Sequence, residues 1–178
     1  KKKMLNKQKK KKKKGDNKAF QELIIYYKND LYKIAKTRLS NIEDIDDAIQ
    51  ETIISAYESI HKLVNVSKFK AWIITILINK CNAIYNRKQK DNIVSYDFME
   101  GEKFIPKVHD INSNIEFDAL LRPLNSDERT IVVLYYNEGY KVEEISKILK
   151  INSNTVKTKL YRARKKIMED LKEGCIDG

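Results

Sequence analysis

Three stretches concentrate charged and polar side chains at intervals suited to binding or catalysis. In the first, Asp44, Asp46, Asp47, Gln50 and Glu51 lie close together. On a helix, Asp44, Asp47 and Glu51 fall at i, i+3 and i+7 and share a face opposite Ile45, Ile49 and Ile53. Such carboxylates could serve metal-assisted catalysis, dock a basic protein or stand solvated. Helical turns are about 5.4 Å apart, and no second acidic cluster or histidine pair completes a ligand set. The expectation is therefore no metal, no cofactor and no enzyme, with docking preferred and a metal-dependent nuclease kept as a remote alternative.

In the second stretch, Lys157, Lys159, Arg162, Arg164, Lys165 and Lys166 follow one another with no acid between Ser153 and Lys166. A concentrated basic face suits phosphate contacts. Ser153, Asn154, Thr155, Lys157 and Thr158 at its start are short or flexible polar groups able to reach base edges from a helix N-terminus in the major groove. The alternative is a solvated helix whose basic residues follow the macrodipole. The third stretch joins the polar interval His61–Lys68 to Phe69, Trp72, Asn79, Asn82, Asn86, Arg87 and Lys88. Trp72, the single tryptophan, fits a core position by pattern better than a base-stacking platform.

All three stretches fall on or beside segments with helical periodicity. Phe20, Leu23, Ile24, Tyr27, Leu31, Ile34 and Ala35 recur at three- and four-residue steps, as do Ile42, Ile45, Ile49, Ile53, Ala56, Tyr57 and Ile60. A third run carries Phe69, Trp72, Ile73, Ile76, Leu77 and Ile84, with Ser67 as its expected cap. Residues 91–118 lose periodicity, gather acids and hold Gly101 and Pro106, so they read as a linker. Beyond them, Ser126 is the expected cap of a helix with Ile131, Val132, Leu134 and Tyr135, and Gly139 ends it. Val142 to Leu149 forms a short helix. Asn152 or Ser153 caps a last one with Val156, Leu160, Ala163, Ile167 and Leu171 inward. Short helix, tight turn and longer basic helix give helix-turn-helix order.

Composition agrees and excludes other classes. Of 36 Lys and Arg, ten lysines stand in residues 1–14, so the formal charge of +11 belongs almost entirely to this expected disordered tail. An A/T-rich coding sequence accounts for that tail as well as a function does. No apolar run approaches the roughly 20 residues of a membrane span, so no membrane insertion is expected. The lysine-rich start lacks the apolar segment of a secretory signal, and Cys81 and Cys175 lack pairing or metal-like spacing. A reduced, cytoplasmic protein is expected. Five Gly and two Pro favour an all-α chain of two small helical domains, bounded at 15–90 and 119–178.

The sequence resembles the compact extracytoplasmic-function group of the sigma-70 family. Carrying the resemblance are Gly15-Asp16-x-x-Ala19-Phe20, Asp44-x-x-Asp47-x-x-Gln50-Glu51-Thr52, Phe69-x-x-Trp72-Ile73-x-x-Ile76-x-x-Asn79, Glu144-Ile145, and Ile151-x-x-x-Thr155-Val156-Lys157-x-x-Leu160-x-Arg162-Ala163-Arg164. It implies a region 2 and a region 4 domain joined by a linker that threads toward the polymerase active-site and RNA-exit channels. It also implies contacts to the β′ clamp helices and β subunit of core RNA polymerase, promoter DNA as the second partner, and an anti-sigma factor as a further one.

By the same resemblance, Asp44, Asp47, Gln50 and Glu51 meet polymerase. His61, Lys62, Asn65, Lys68, Trp72, Asn79, Asn82, Asn86, Arg87 and Lys88 belong to the part that reads and melts the minus-ten element. Ser153, Asn154, Thr155, Lys157, Thr158, Lys159, Tyr161, Arg162 and Lys165 read the minus-thirty-five element. The chain departs from the family pattern at Ile78, where a basic residue is common, at Asn125, where Pro is common, and at Lys150, where Gly is common. A helix-turn-helix regulator acting without polymerase is the main alternative.

Overall fold

The computed structural model describes the backbone of residues 17–95 and 115–174. The lysine-rich tail and most of the acidic segment expected as a linker lie outside the described residues. The chain divides into two units at Val94/Ser95. Every regular element among the described residues is helical.

The first unit contains α1 (Asn17–Lys36), α2 (Ile42–Ser59) and α3 (Phe69–Ser95), with two single 3-10 turns, Ile60–Lys62 and Val66–Lys68, between α2 and α3. The apolar periodicity closes one core: Phe20, Leu23, Tyr27, Leu31 and Ile34 from α1, Ile45, Ala48, Ile49 and Ala56 from α2, and Phe69, Ile73, Leu77 and Ile84 from α3 are all buried. Burying such a side chain contributes about 1.5–3 kcal/mol, so this seam dominates the stability of the unit. Asn41 caps α2, accepting from the Glu43 N–H at 2.8 Å.

Some expected core positions are not in it. Ile42 and Tyr57 are exposed, while Ile74 and Ile78 are fully or nearly fully buried. α3 is apolar around much of its circumference because the other two helices and the α1–α2 turn all press on it. Ile78 therefore belongs to packing. α3 also runs through Ser95, helical for several residues past the expected boundary at residue 90.

The second unit contains α4 (Ile115–Leu120), α5 (Ser126–Val132), α6 (Val142–Leu149) and α7 (Ser153–Gly174). α4 begins inside the segment expected as linker. The cap of α5 is Asn125, not Ser126: its Oδ1 accepts from the Glu128 N–H at 2.9 Å, and Glu128 Oε2 accepts from the Asn125 N–H at 3.1 Å. This reciprocal box satisfies two orphan donors, which a serine inside the first turn could not do. α5 continues into a π turn over Val133–Asn137, closed by the Glu138 N–H donating to Val133 O at 3.0 Å, and Gly139 then turns the chain with φ +70°.

The α6–α7 turn places Lys150 in the left-handed region, φ 55° and ψ 41°. The Lys150 and Ile151 N–H groups both donate back to Ser146 O, the latter at 3.1 Å, which closes the end of α6. A side chain in this conformation costs about 1–2 kcal/mol, partly offset against glycine by the greater chain entropy glycine loses on folding. Lys150→Gly is expected to stabilise the protein by about 0.5–1 kcal/mol, read as a raised urea midpoint with unchanged slope.

Cys81 is completely buried in α3. Burial pushes its thiol up to about 12, so it stays protonated and unreactive through neutral pH. In a Cys175→Ser background the folded chain should resist iodoacetamide at mildly alkaline pH and become alkylated only on unfolding.

Candidate functional site

The acidic stretch is solvent-facing on α2 but is not uniformly open. Asp47 and Gln50 are exposed. Asp44, by contrast, accepts from Lys88 Nζ at 2.6 Å, with only 15% of its side chain accessible, and Glu51 pairs with Lys80 at 3.1 Å. Asp44 and Glu51 occupy the edge of α2 that faces α3, and the two lysines are eight residues apart on α3. These pairs clip one helix to the other, each worth on the order of 1 kcal/mol or less. Ile54, 58% exposed, extends the open Asp47–Gln50 line at i+7 and i+4, which makes the accessible strip part acidic and part apolar. The sequence pattern concealed Ile54 because its neighbour Ile53 continued the core period.

The interval before α3 presents His61, Lys62, Asn65 and Lys68 to solvent. Asn65 Oδ1 accepts from the Ser67 N–H at 2.9 Å and from the Ser67 hydroxyl at 2.7 Å, so Asn65 holds the turn, and Ser67 is not itself the cap of α3. Val64 is 90% exposed, an apolar side chain at the tip of this interval.

On α3, Trp72, Asn79, Asn82 and Asn86 lie at i, i+7, i+10 and i+14 and therefore on one face. Trp72 is half-buried, its ring 5.8 Å from that of Phe69, a position at the rim of the core. Asn79, Asn86 and Arg87 are exposed. Asn82 is half-buried and accepts from Arg38 Nη1 at 2.8 Å. Lys88 does not join this face, because it is turned to Asp44.

The helix-turn-helix resolves the basic stretch in the same way. Asn152, not Ser153, caps α7, accepting from the Asn154 N–H at 2.8 Å. Val156, Leu160 and Ala163 are buried. The opposite side exposes Asn154, Thr155, Lys157, Thr158, Tyr161, Arg162 and Lys165, with Ser153 half-buried. Tyr161 is 68% exposed in the middle of this face.

Three of the basic residues point elsewhere. Lys159 Nζ donates to Asp127 at 2.9 Å. Lys166 donates to both oxygens of Glu128, at 3.0 and 2.8 Å. Arg164 Nε donates to Tyr136 Oη at 2.7 Å, with the guanidinium over the ring at 5.8 Å. Lys159 was expected on the DNA-reading face. Its azimuth turns it toward α5 because Val156 and Leu160 must be buried there. Within the basic stretch, Lys157, Arg162 and Lys165 remain outward, Lys165 with an exposed Glu169 at 3.6 Å one turn on.

Glu128 sits beneath all of this, 4% exposed, shared between the cap of α5 and Lys166 of α7. Arg129 Nε donates to Leu121 O at 3.1 Å and so ties α5 to the end of α4. Burial lowers the Arg129 pKa. Removing the partner of a buried charge costs more than breaking a surface pair. Lys166→Met should therefore destabilise the protein by about 1–2 kcal/mol in urea unfolding, whereas Lys165→Met should stay within about 0.5 kcal/mol.

No group of three His, Cys, Asp or Glu among the described residues is placed to hold a metal ion, and none of the described helices is long and apolar enough to cross a membrane.

A family model for Sigma-70 region 2 matches residues 23–91, and one for Sigma-70, region 4 matches residues 114–167. The chain is 31% identical to RNA polymerase sigma factor SigV of Bacillus subtilis, over 78% of this chain and 82% of that protein. It is 27% identical to ECF RNA polymerase sigma factor SigW of the same organism, over 96% and 98%. Among solved structures, the sigma factor RpoE in complex with the anti-sigma factor NepR from Bartonella quintana superposes with a TM-score of 0.68 at 25% identity, over 87% of this chain and 98% of that one.

Proposed function

This chain belongs to the sigma-70 family, among its extracytoplasmic-function RNA polymerase sigma factors, and we propose how its residues divide the work of transcription initiation. The α2 strip of Asp47, Gln50 and Ile54, flanked by Asp44 and Glu51, docks on the β′ clamp helices of core polymerase. Acids beside an exposed isoleucine suit a basic helical partner with an apolar contact at its centre. The His61–Lys68 interval and the α3 face of Trp72, Asn79, Asn82 and Asn86, with Arg87 at its end, meet the minus-ten element and hold it open. Opening duplex costs about 1.4 kcal/mol per stacked step, which captured bases and backbone contacts must offset.

The exposed face of α7, from Ser153 through Thr155 to Lys165, enters the major groove of the minus-thirty-five element. Lys157, Arg162 and Lys165 meet phosphate there, while Asn154, Thr155 and Thr158 approach base edges. Lys88 and Lys159 reach DNA only by exchanging their carboxylate partners for phosphate. Region 2 is assigned to the unit that ends with α3 and region 4 to the unit that begins with α4, with the acidic segment between them passing along polymerase channels. The chain works in the cytoplasm and carries out no catalytic step, since polymerase supplies the chemistry. An anti-sigma factor is its inhibitory partner, a role supported by the RpoE–NepR complex.

The observation that carries this reading is the coexistence, in a chain of this family, of an open acidic and apolar strip on α2 with an outward basic and polar face on a helix-turn-helix. The helix-turn-helix regulator alternative accounts for the second feature alone. The deciding variant is Asp47→Lys, because Asp47 is exposed, whereas reversal at Glu51 also breaks its pair with Lys80. Asp47→Lys should reduce co-purification with core polymerase and promoter-specific transcription at least about tenfold, the effect of losing one desolvated ionic contact, with the urea midpoint unchanged. Full promoter-specific transcription by this variant, or failure of the wild-type chain to associate with core polymerase, would overturn the reading.

A further inference from the structure

On the α3 face assigned above to the minus-ten element, three asparagines stand in line, and one of them differs. Asn79 and Asn86 are exposed, and an exposed amide can turn either its oxygen or its nitrogen outward. Asn82 cannot, because Arg38 Nη1 donates to its Oδ1 at 2.8 Å. A guanidinium has donors only, so the amide atom that faces it must be the oxygen. Asn82 Nδ2 makes no hydrogen bond within the described residues and is not buried away from water. It is left as the outward group.

Arg38 is itself held firmly. The turn after α1 is closed by Thr37 N–H to Ile34 O at 3.1 Å, Arg38 N–H to Ala35 O at 2.9 Å and Leu39 N–H to Ala35 O at 3.0 Å. Thr37 and Leu39, on either side, are each 4% exposed, and the Thr37 hydroxyl donates to Ile34 O at 2.7 Å. On the other side of the contact, Asn82 follows the fully buried Cys81 and precedes the buried Ile84. Both ends of the hydrogen bond thus stand on backbone fixed by the core.

We propose that Arg38 is a positioning residue for promoter specificity: it locks the Asn82 amide so that α3 presents a hydrogen-bond donor, and not an acceptor, to a base of the minus-ten element. A fixed donor pairs with a keto oxygen, as on thymine or guanine, and repels the exocyclic amine that cytosine or adenine shows at the corresponding edge. The positive charge behind the amide oxygen polarises the group and strengthens its N–H donors. Arg38 lies 44 residues from Asn82 in sequence and need not touch DNA. The inference rests on the assignment of the α3 face to promoter DNA.

The test is transcription by reconstituted holoenzyme from a promoter library randomised across the minus-ten element, read as base preference at each position. Wild type should prefer a keto base at one position. Asn82→Asp keeps an oxygen for Arg38 but replaces the donor with an acceptor, so it should remove or reverse that preference, by about fivefold or more for one lost hydrogen bond. Arg38→Met keeps the aliphatic stem and releases the amide. It should flatten the preference at that same position by a similar factor while leaving the other positions unchanged, and Arg38→Lys should restore part of it. A general loss of folding would lower transcription without changing the profile at one position, and the Arg38→Lys and Asn82→Asp variants retain a partner across the contact.

Two results overturn the inference, and they are distinguishable. If Asn82→Ala relaxes one position while Arg38→Met leaves the profile as in wild type, Arg38 does not position the amide and the promoter assignment of α3 survives. If Asn82→Ala changes no position, Asn82 does not read DNA, and the assignment of that face falls with the inference.

Discussion

A helix that buries one stripe has fixed the azimuth of every other side chain it carries, and this constraint governs both units. On α7, Val156, Leu160 and Ala163 must face α5, and from that requirement alone Lys159 and Lys166 are delivered to Asp127 and Glu128. The same rotation leaves Lys157, Arg162 and Lys165 pointing outward. On α3, burial of Ile73, Leu77 and Ile84 sends Lys80 and Lys88 to the acids of α2 and the asparagines to the opposite side. The charge a helix offers to a partner is what remains after its own packing has claimed a share.

That share is largest where it also secures the helix ends. Glu128 joins the cap of α5 to a lysine on α7, so one carboxylate closes a helix terminus and fixes a helix pair. In the first unit the corresponding ties are dispersed: Lys70 reaches Asp30 at 2.7 Å across α3 and α1, beside the Tyr27 ring, while Lys80 and Lys88 reach α2. Each is modest alone, and together they set the register between helices whose apolar contacts would tolerate some sliding.

How much was legible beforehand follows from the range of each interaction. Helix order, the buried stripes and the helix-turn-helix came from periodicity, which is local. The left-handed turn at Gly139 and the unusual residue at Lys150 were visible because turns are local as well. A misassignment arose where a local rule had two candidates, as with Asn125 against Ser126 for the α5 cap, and Ile54 was overlooked because the inward Ile53 beside it satisfied the core period. What no local pattern could disclose was pairing across tens of residues. Asp44 with Lys88, Lys159 with Asp127, and Arg38 with Asn82 are products of packing, and they changed which members of each functional cluster remain available.

The position of Trp72 has an optical consequence. It is the single tryptophan of the chain, half-buried at the edge of the core beside Phe69 and on the same helical face as Asn79, Asn82 and Asn86. Selective long-wavelength excitation therefore isolates one indole among ten tyrosines. Its emission colour and quenching follow the wetting of this surface without any attached dye, and the second unit contributes no background.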